Sequence, residues 1–210
     1  MDFSTDTFSR SQGRELLTSV LVPRPVVWIS TVERDGTENY NLAPFSSIAP
    51  VCNQPPLISF CCNRRMDGTE KNTARNVKQS GEFVVNTVSP AFLEQVCSSA
   101  EEFETEADRF GHVGLLPGQC KMVKAPRVTE ALASLECVLF KCVELGEGDG
   151  RTDLFIGRIV YVHLSDARNT GRRSATRRQV PLLAALDLDW YLLQGEAVFR
   201  PQAQRPSNGK

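Results

Sequence analysis

From residue 23 to residue 51 the chain reads PRPVVWISTVERDGTENYNLAPFSSIAPV, strand-forming stretches punctuated by Pro23, Pro25, Pro44 and Pro50. Residues 26–32 are rich in β-branched and aromatic side chains, and Asp35-Gly36 is a strong hairpin signal, so the segment predicts two antiparallel strands around a turn. Pro44 has no N–H to give to a ladder, which restricts the second strand to a sheet edge or a departure from the sheet. The amides beside it are then free to face a ligand, while Asn41, Ser46 and Ser47 bring short donors and acceptors into an otherwise apolar run.

The remaining segments extend this pattern. PPLISFCCN is a third strand whose near-continuous apolar run predicts burial on both faces. In EKNTARNVKQSG, Ala74, Val77 and Lys78 fall at helical spacing, with Asn72 as expected N-cap and Gly81 as expected stop. EFVVNTVS returns as a strand, and residues 89–110 read as an inserted helical region opened by Ser89 and Pro90. Residues 112–128 are irregular. ASLECVLFKCVELGEG and RTDLFIGRIVYVHLSD form a long hairpin around Gly146, Gly148 and Gly150. Short strands interrupted by helices, without regular βαβ alternation, predict a mainly β fold, an antiparallel split barrel with inserted helices. One domain over residues 1–200 and a disordered tail over 201–210 are expected.

Composition narrows the function. With 24 Lys and Arg against 25 Asp and Glu, no global charge draws the chain to nucleic acid or to a membrane surface. The polar start lacks the basic and apolar regions of a secretory signal, and no run reaches the roughly 20 apolar residues of a span, so a cytoplasmic protein is expected. Seven cysteines without CxxC spacing, beside only His112 and His163, favour reduced thiols used as small apolar side chains, and no metal is expected. GxGxxG, Walker and GxSxG signals are absent. Arg168, Arg172, Arg173, Arg177 and Arg178 cluster in a Gly/Ser/Thr-rich segment, readable as a solvated loop or as an anion contact to a dinucleotide.

Two segments can carry chemistry. The strand Asn41, Leu42, Ala43, Pro44, Phe45, Ser46 offers a wall for a flat heteroaromatic ring with polar atoms along one edge. RRMDGTEKNTARN places Arg64, Arg65 and Lys71 ahead of a helix start at Asn72 and Thr73, where cations, a hydroxyl and helix amides can converge on a phosphate. A polar strand end and a solvated basic loop are the plainer readings of the same residues.

Taken together, PRPVVWIST, DGT with NLAPFS, PPLISF, the KNTxxN element at Lys71 to Asn76 and GEFVVN resemble the flavin reductase-like, FMN-binding split-barrel proteins, in the flavoprotein oxygenase or NAD(P)H:flavin oxidoreductase branch. The likeness extends to about residue 164. It implies FMN with its ring against residues 41–46, Trp28, Ser30 and Thr31 nearby, and its phosphate and ribityl end served by Lys71, Asn72, Thr73 and Asn76 beside the basic loop of Arg65. It also implies a homodimer with small-molecule flavin and nicotinamide partners. Where the family commonly has Asp after the lysine, this chain has Asn72. The C-terminal part keeps Tyr191 and Arg200-Pro201, but its middle departs from the pattern. His163 falls where the family often has His, and can face the flavin pocket or serve as a structural hydrogen-bond partner.

The implied activity is hydride transfer from NAD(P)H to flavin, a reaction that needs stacking and exclusion of water more than a side-chain acid or base. The alternative is an FMN-binding carrier or redox sensor without appreciable turnover, and a third reading is a heme-handling split barrel.

Overall fold

The structure, a computed structural model, describes residues 4–33, 39–65, 67–101, 108–147, 150–165, 182–186 and 190–193. In chain order the elements are α1 (Arg10–Val20), β1 (Arg24–Pro25), β2 (Val27–Val32), β3 (Tyr40–Phe45), β4 (Ala49–Asn53), β5 (Pro56–Asn63), α2 (Asn72–Ser80), β6 (Glu82–Thr87), α3 (Leu93–Ser99), α4 (Arg109–Val113), β7 (Pro117–Gly118), β8 (Arg127–Val128), β9 (Ala133–Leu145), β10 (Thr152–Leu164), β11 (Ala184–Ala185) and β12 (Tyr191–Leu192). The principal sheet has seven strands in the order β3-β2-β6-β9-β10-β5-β4, every pairing antiparallel.

This sheet cannot lie flat. Its edges β3 and β4 are consecutive in the chain and joined only by residues 46–48. Phe45 of β3 meets Phe60 of β5 with ring centroids 5.1 Å apart, although four strands separate them in the ladder. Phe60 also packs at 5.1 Å on Phe83 of β6 and on Phe155 of β10, so the inner face closes over one aromatic core. No ladder joins β3 to β4 among the described residues. Pro44 lies on the edge strand, where the missing donor costs no central ladder bond.

The second apolar layer covers the outer face of β2 and β3. Trp28, Leu42, Val96, Phe110, Val128 and Leu183 belong to it, contributed in part by α3, α4, β8 and the segment leading into β11. Strand β2 is therefore buried along its whole length, with the aromatic core on one side and this layer on the other.

Several expectations shift. Lys71, not Asn72, is the N-cap of α2 and makes no side-chain cap bond, because the helix starts one residue earlier than the capping pattern implies; Gly81 ends it at φ 74°, as expected of a left-handed stop. The helical region after Ser89 breaks up into a 3-10 turn Pro90–Phe92, α3 and the five-residue α4, which Gly114 terminates at φ 67°. β5 is not buried on both faces: Phe60 and Cys62 point into the core, while Ser59 and Cys61 are only partly covered. Helix α1 was not foreseen, although Ser9 and Gln12 form a full capping box at its start. The Asp35-Gly36 turn, the arginine cluster, Arg200-Pro201 and the 201–210 tail lie outside the described residues.

Gly157 is where the long hairpin meets the core. It sits at a register shift between β9 and β10, and a Cβ there would lie 2.7 Å from Phe83 Cε1 and 3.2 Å from Cys137 Cβ. Phe83 is packed in turn against Phe60. Gly157→Ala is expected to destabilise by about 1–3 kcal/mol through overpacking. A thermal midpoint equal to wild type would show that the ring has room to move.

Candidate functional site

The two-residue period of β2 and β3 sorts the candidate residues onto opposite faces. Thr31 stands opposite Asn41, Ser30 opposite Leu42, and Trp28 opposite Pro44. Trp28 belongs to the outer layer, donating from Nε1 to Ser99 Oγ at 3.0 Å and meeting Phe92 edge-on. Ser30 is buried on the same side, where its hydroxyl donates to the Pro126 carbonyl and accepts from Asn86 Nδ2 at 3.0 Å. Leu42 is in that layer too. The structure thus places Trp28, Ser30 and Leu42 apart from the inward-facing Thr31, Asn41 and Phe45.

Those inward residues meet the start of α2. Asn41 Nδ2 donates to Thr73 Oγ1 at 2.9 Å and to Thr31 Oγ1 at 3.3 Å, and Asn76 Nδ2 reaches the same Thr31 oxygen at 3.2 Å. All four side chains are buried, and the stripe Thr73, Ala74, Asn76, Val77 explains why: α2 presents Ala74 and Val77 to the aromatic core and Thr73 and Asn76 to the strands. Asn76 Oδ1 is buried with no hydrogen-bond partner, a costly state for an amide. Ala43, Pro44, Phe45 and Ser46 are half-buried along the adjoining edge.

The basic loop is partly committed to its own fold. Arg65 donates to the Glu70 carbonyl and, at 3.1 Å, to Asn72 Oδ1, which brackets the helix start. Arg64 pairs with Glu70 at 2.8 Å and with the buried Asp153 at 3.3 Å. Lys78 bonds Asp153 and Glu70, both at 2.8 Å. Burial works against its charge, but those two hydrogen bonds win and hold the lysine above its usual range. Lys71 and Asn72, half-buried at the helix mouth, are the positions closest in sequence to the polar cluster.

Sequence reasoning missed a carboxylate device on the outer face. Glu136 of β9 is fully buried and accepts from the amides of Lys121, Met122 and Val123 at 2.7, 2.6 and 3.1 Å, while His163 Nε2 lies 2.5 Å from its Oε1. Glu82 holds the amides of Lys124 and Ala125 in the same loop. Burial pushes the Glu136 carboxyl up, but the amide and His163 hydrogen bonds outweigh it and leave the group below the usual carboxylate range. Burial, followed by the charge and hydrogen bond of Glu136, pushes the nearby Cys120 thiol up to about 12. The only forewarning was a glutamate inside an apolar strand, where an ionised side chain requires partners.

Chemically, the inward cluster offers hydroxyl and amide groups beside an edge strand and a helix start, a set suited to a polyhydroxylated, phosphate-bearing molecule. The orphaned Asn76 acceptor suits a ligand hydroxyl. No helix among the described residues is long and apolar enough to cross a membrane.

Comparison with known proteins agrees with this architecture. The model of the flavin reductase like domain matches residues 19–184. An uncharacterized protein of Aquifex aeolicus is 43% identical over 129 residues, covering 61% of this chain and 65% of that protein. One of Bacillus subtilis is 34% identical over 166 residues, covering 78% and 80%. Among solved structures, nitrilotriacetate monooxygenase component B from Bacillus cereus superposes with a TM-score of 0.84 at 27% identity, over 95% of this chain and 98% of that one. A split barrel domain protein of Shewanella frigidimarina shares the fold at a TM-score of 0.76 and 23% identity, over 97% of this chain and 100% of that one. By the extent of the domain match, the chain belongs to the flavin reductase like family.

Proposed function

We propose that the protein is a cytoplasmic, FMN-binding flavin reductase, one split-barrel domain over residues 1–200, working as a homodimer and taking hydride from NAD(P)H. The observation that carries this reading is the buried Thr31–Asn41–Thr73–Asn76 cluster with its orphaned Asn76 acceptor, set between a proline-bearing edge strand and a helix start. Bound FMN supplies the hydride-accepting ring. The edge from Ala43 to Ser46 lines one side of that ring, with Leu42 turned away into the outer layer and Pro44 keeping the edge clear of a further strand. Thr31, Asn41 and Asn76 orient the ribityl hydroxyls, and Lys71, Asn72 and Thr73, backed by Arg65, hold the phosphate. Trp28 and Ser30 act from behind, fixing β2 against α3 and the loop at Pro126. The fully exposed edge strand β4 supports a second copy as its cover.

The test is a flavin titration followed by visible absorbance, then NADH and NADPH oxidation by the loaded protein. Saturable FMN binding is expected, with Lys71→Ala weakening it by about 1.5–3 kcal/mol, roughly ten- to hundredfold in Kd. Flavin binding with nicotinamide oxidation at background would make the protein a carrier instead. The absence of any flavin binding would remove both readings.

A further inference from the structure

The outer face holds a second chemistry-bearing constellation. Cys120 from the loop, Glu136 from β9 and His163 from β10 bring one thiol, one carboxylate and one imidazole together, their ligand atoms all within 4.8 Å of one another. Among the described residues they are the group of thiol, imidazole and carboxylate donors that lies close enough together to share one ion. Three separate segments supply them, so the spacing in sequence gave no sign.

Two features distinguish the cluster from a chance meeting of polar side chains. Glu136 is oriented by three backbone amides that reach both of its oxygens, the kind of outer-shell support that fixes a ligating carboxylate. It is also a fully buried anion whose ion-pair partner among the described residues is His163 rather than a lysine or arginine. Buried charges are paired or coordinate metals, and among those residues this one has only an adjustable imidazole as its charged partner. His163 is the adjustable member: its side chain is 20% exposed and leans on Tyr161 at 4.9 Å.

We propose that Cys120, Glu136 and His163 form a binding site for a borderline-soft divalent cation of the zinc class, with water at the fourth position. Thiolate, imidazole and carboxylate together select for such an ion over magnesium or calcium, which prefer all-oxygen shells. Tetrahedral coordination sets neighbouring donors roughly 3.5 Å apart. The His163–Glu136 contact must therefore open and Cys120 must draw in, movements that a part-exposed ring and a loop side chain can make. The exchange balances in charge. The cation enters, Cys120 releases its thiol proton together with any proton shared by His163 and Glu136, and no redox step is involved. Ion binding would tie the loop at residue 120 to the hairpin β9–β10 by coordination in place of a hydrogen bond.

The experiment uses the full chain with Cys52→Ser and Cys97→Ser, which removes the two exposed thiols. After chelator treatment, Zn2+ is titrated against a chromophoric competitor and Co2+ is titrated with absorbance as readout. One equivalent of Zn2+ and a thiolate-to-cobalt charge-transfer band in the near ultraviolet are expected. Cys120→Ser should abolish the band, and Cys120→Ser and His163→Gln should each weaken Zn2+ at least tenfold, with folding checked by circular dichroism. Absence of a saturable equivalent, absence of the cobalt band, or affinity unchanged in a folded Cys120→Ser or His163→Gln protein overturns the proposal. If Cys120→Ser does not fold, the cobalt band of the parent and the His163→Gln affinity decide. FMN titration of the same samples reports separately on the inward cluster, so failure here leaves the flavin reading intact.

Discussion

Glu136→Ala is expected to lose about 3–5 kcal/mol of folding stability, measured by urea denaturation in the presence of chelator. The substitution strands three backbone amides that the carboxylate satisfies and leaves His163 without its partner. Each unsatisfied buried donor costs about 1–3 kcal/mol, so even partial access of water to Lys121 and Met122 leaves a large deficit. A loss below about 1 kcal/mol would mean that the loop holds its shape without the carboxylate. The same group predicts a pH dependence. Its folded-state pKa is depressed, so its contribution is complete above the unfolded value near 4.5 and disappears as pH falls through the lower folded value. Wild-type stability should therefore fall over that acid range more steeply than the stability of Glu136→Gln, which cannot titrate there. Parallel acid limbs would assign the transition to other carboxylates.

Thr31→Val is the second large effect, and its readouts separate structure from binding. The substitution is nearly isosteric, but it takes the shared acceptor away from Asn41 and Asn76. Asn76, whose Oδ1 already lacks a partner, would then lose the acceptor of its Nδ2 as well. A destabilisation of about 2–3 kcal/mol is expected from the stranded amides, together with at least a tenfold weaker FMN affinity. Ser30→Ala serves as the control, since Ser30 lies one residue away on the opposite face. It should cost stability through its bonds to Pro126 and Asn86 while leaving FMN affinity within about twofold. Equal loss of flavin in both variants would place the ligand elsewhere.

The mainly antiparallel architecture was legible because its signals are local. Pro44 forced an edge, β-branched and aromatic side chains marked β2, Gly81 stopped α2, and the long β9–β10 hairpin announced itself through two strand-forming runs around glycines. The inward cluster was legible in part, since Thr31, Asn41, Thr73 and Asn76 were all singled out. Their separation from Trp28 and Ser30 was not, because deciding which face of β2 receives α2 requires the tertiary fold. Glu136 escaped for a related reason: its partners come from a loop more than ten residues earlier and a strand twenty-seven later. Local propensity carries no record of such distant amides.

The burial of β2 on both faces makes length matter more than identity in this strand. A substitution at one position alters one layer, whereas deletion or insertion of a single residue reverses inside and outside for everything that follows it. Such a slip would thrust an indole toward α2 and drive a threonine hydroxyl into the apolar layer beneath α3. Indels within residues 27–32 should thus be far less tolerated than point changes, and the ligand-facing groups cannot be shifted along the strand without dismantling the packing behind them.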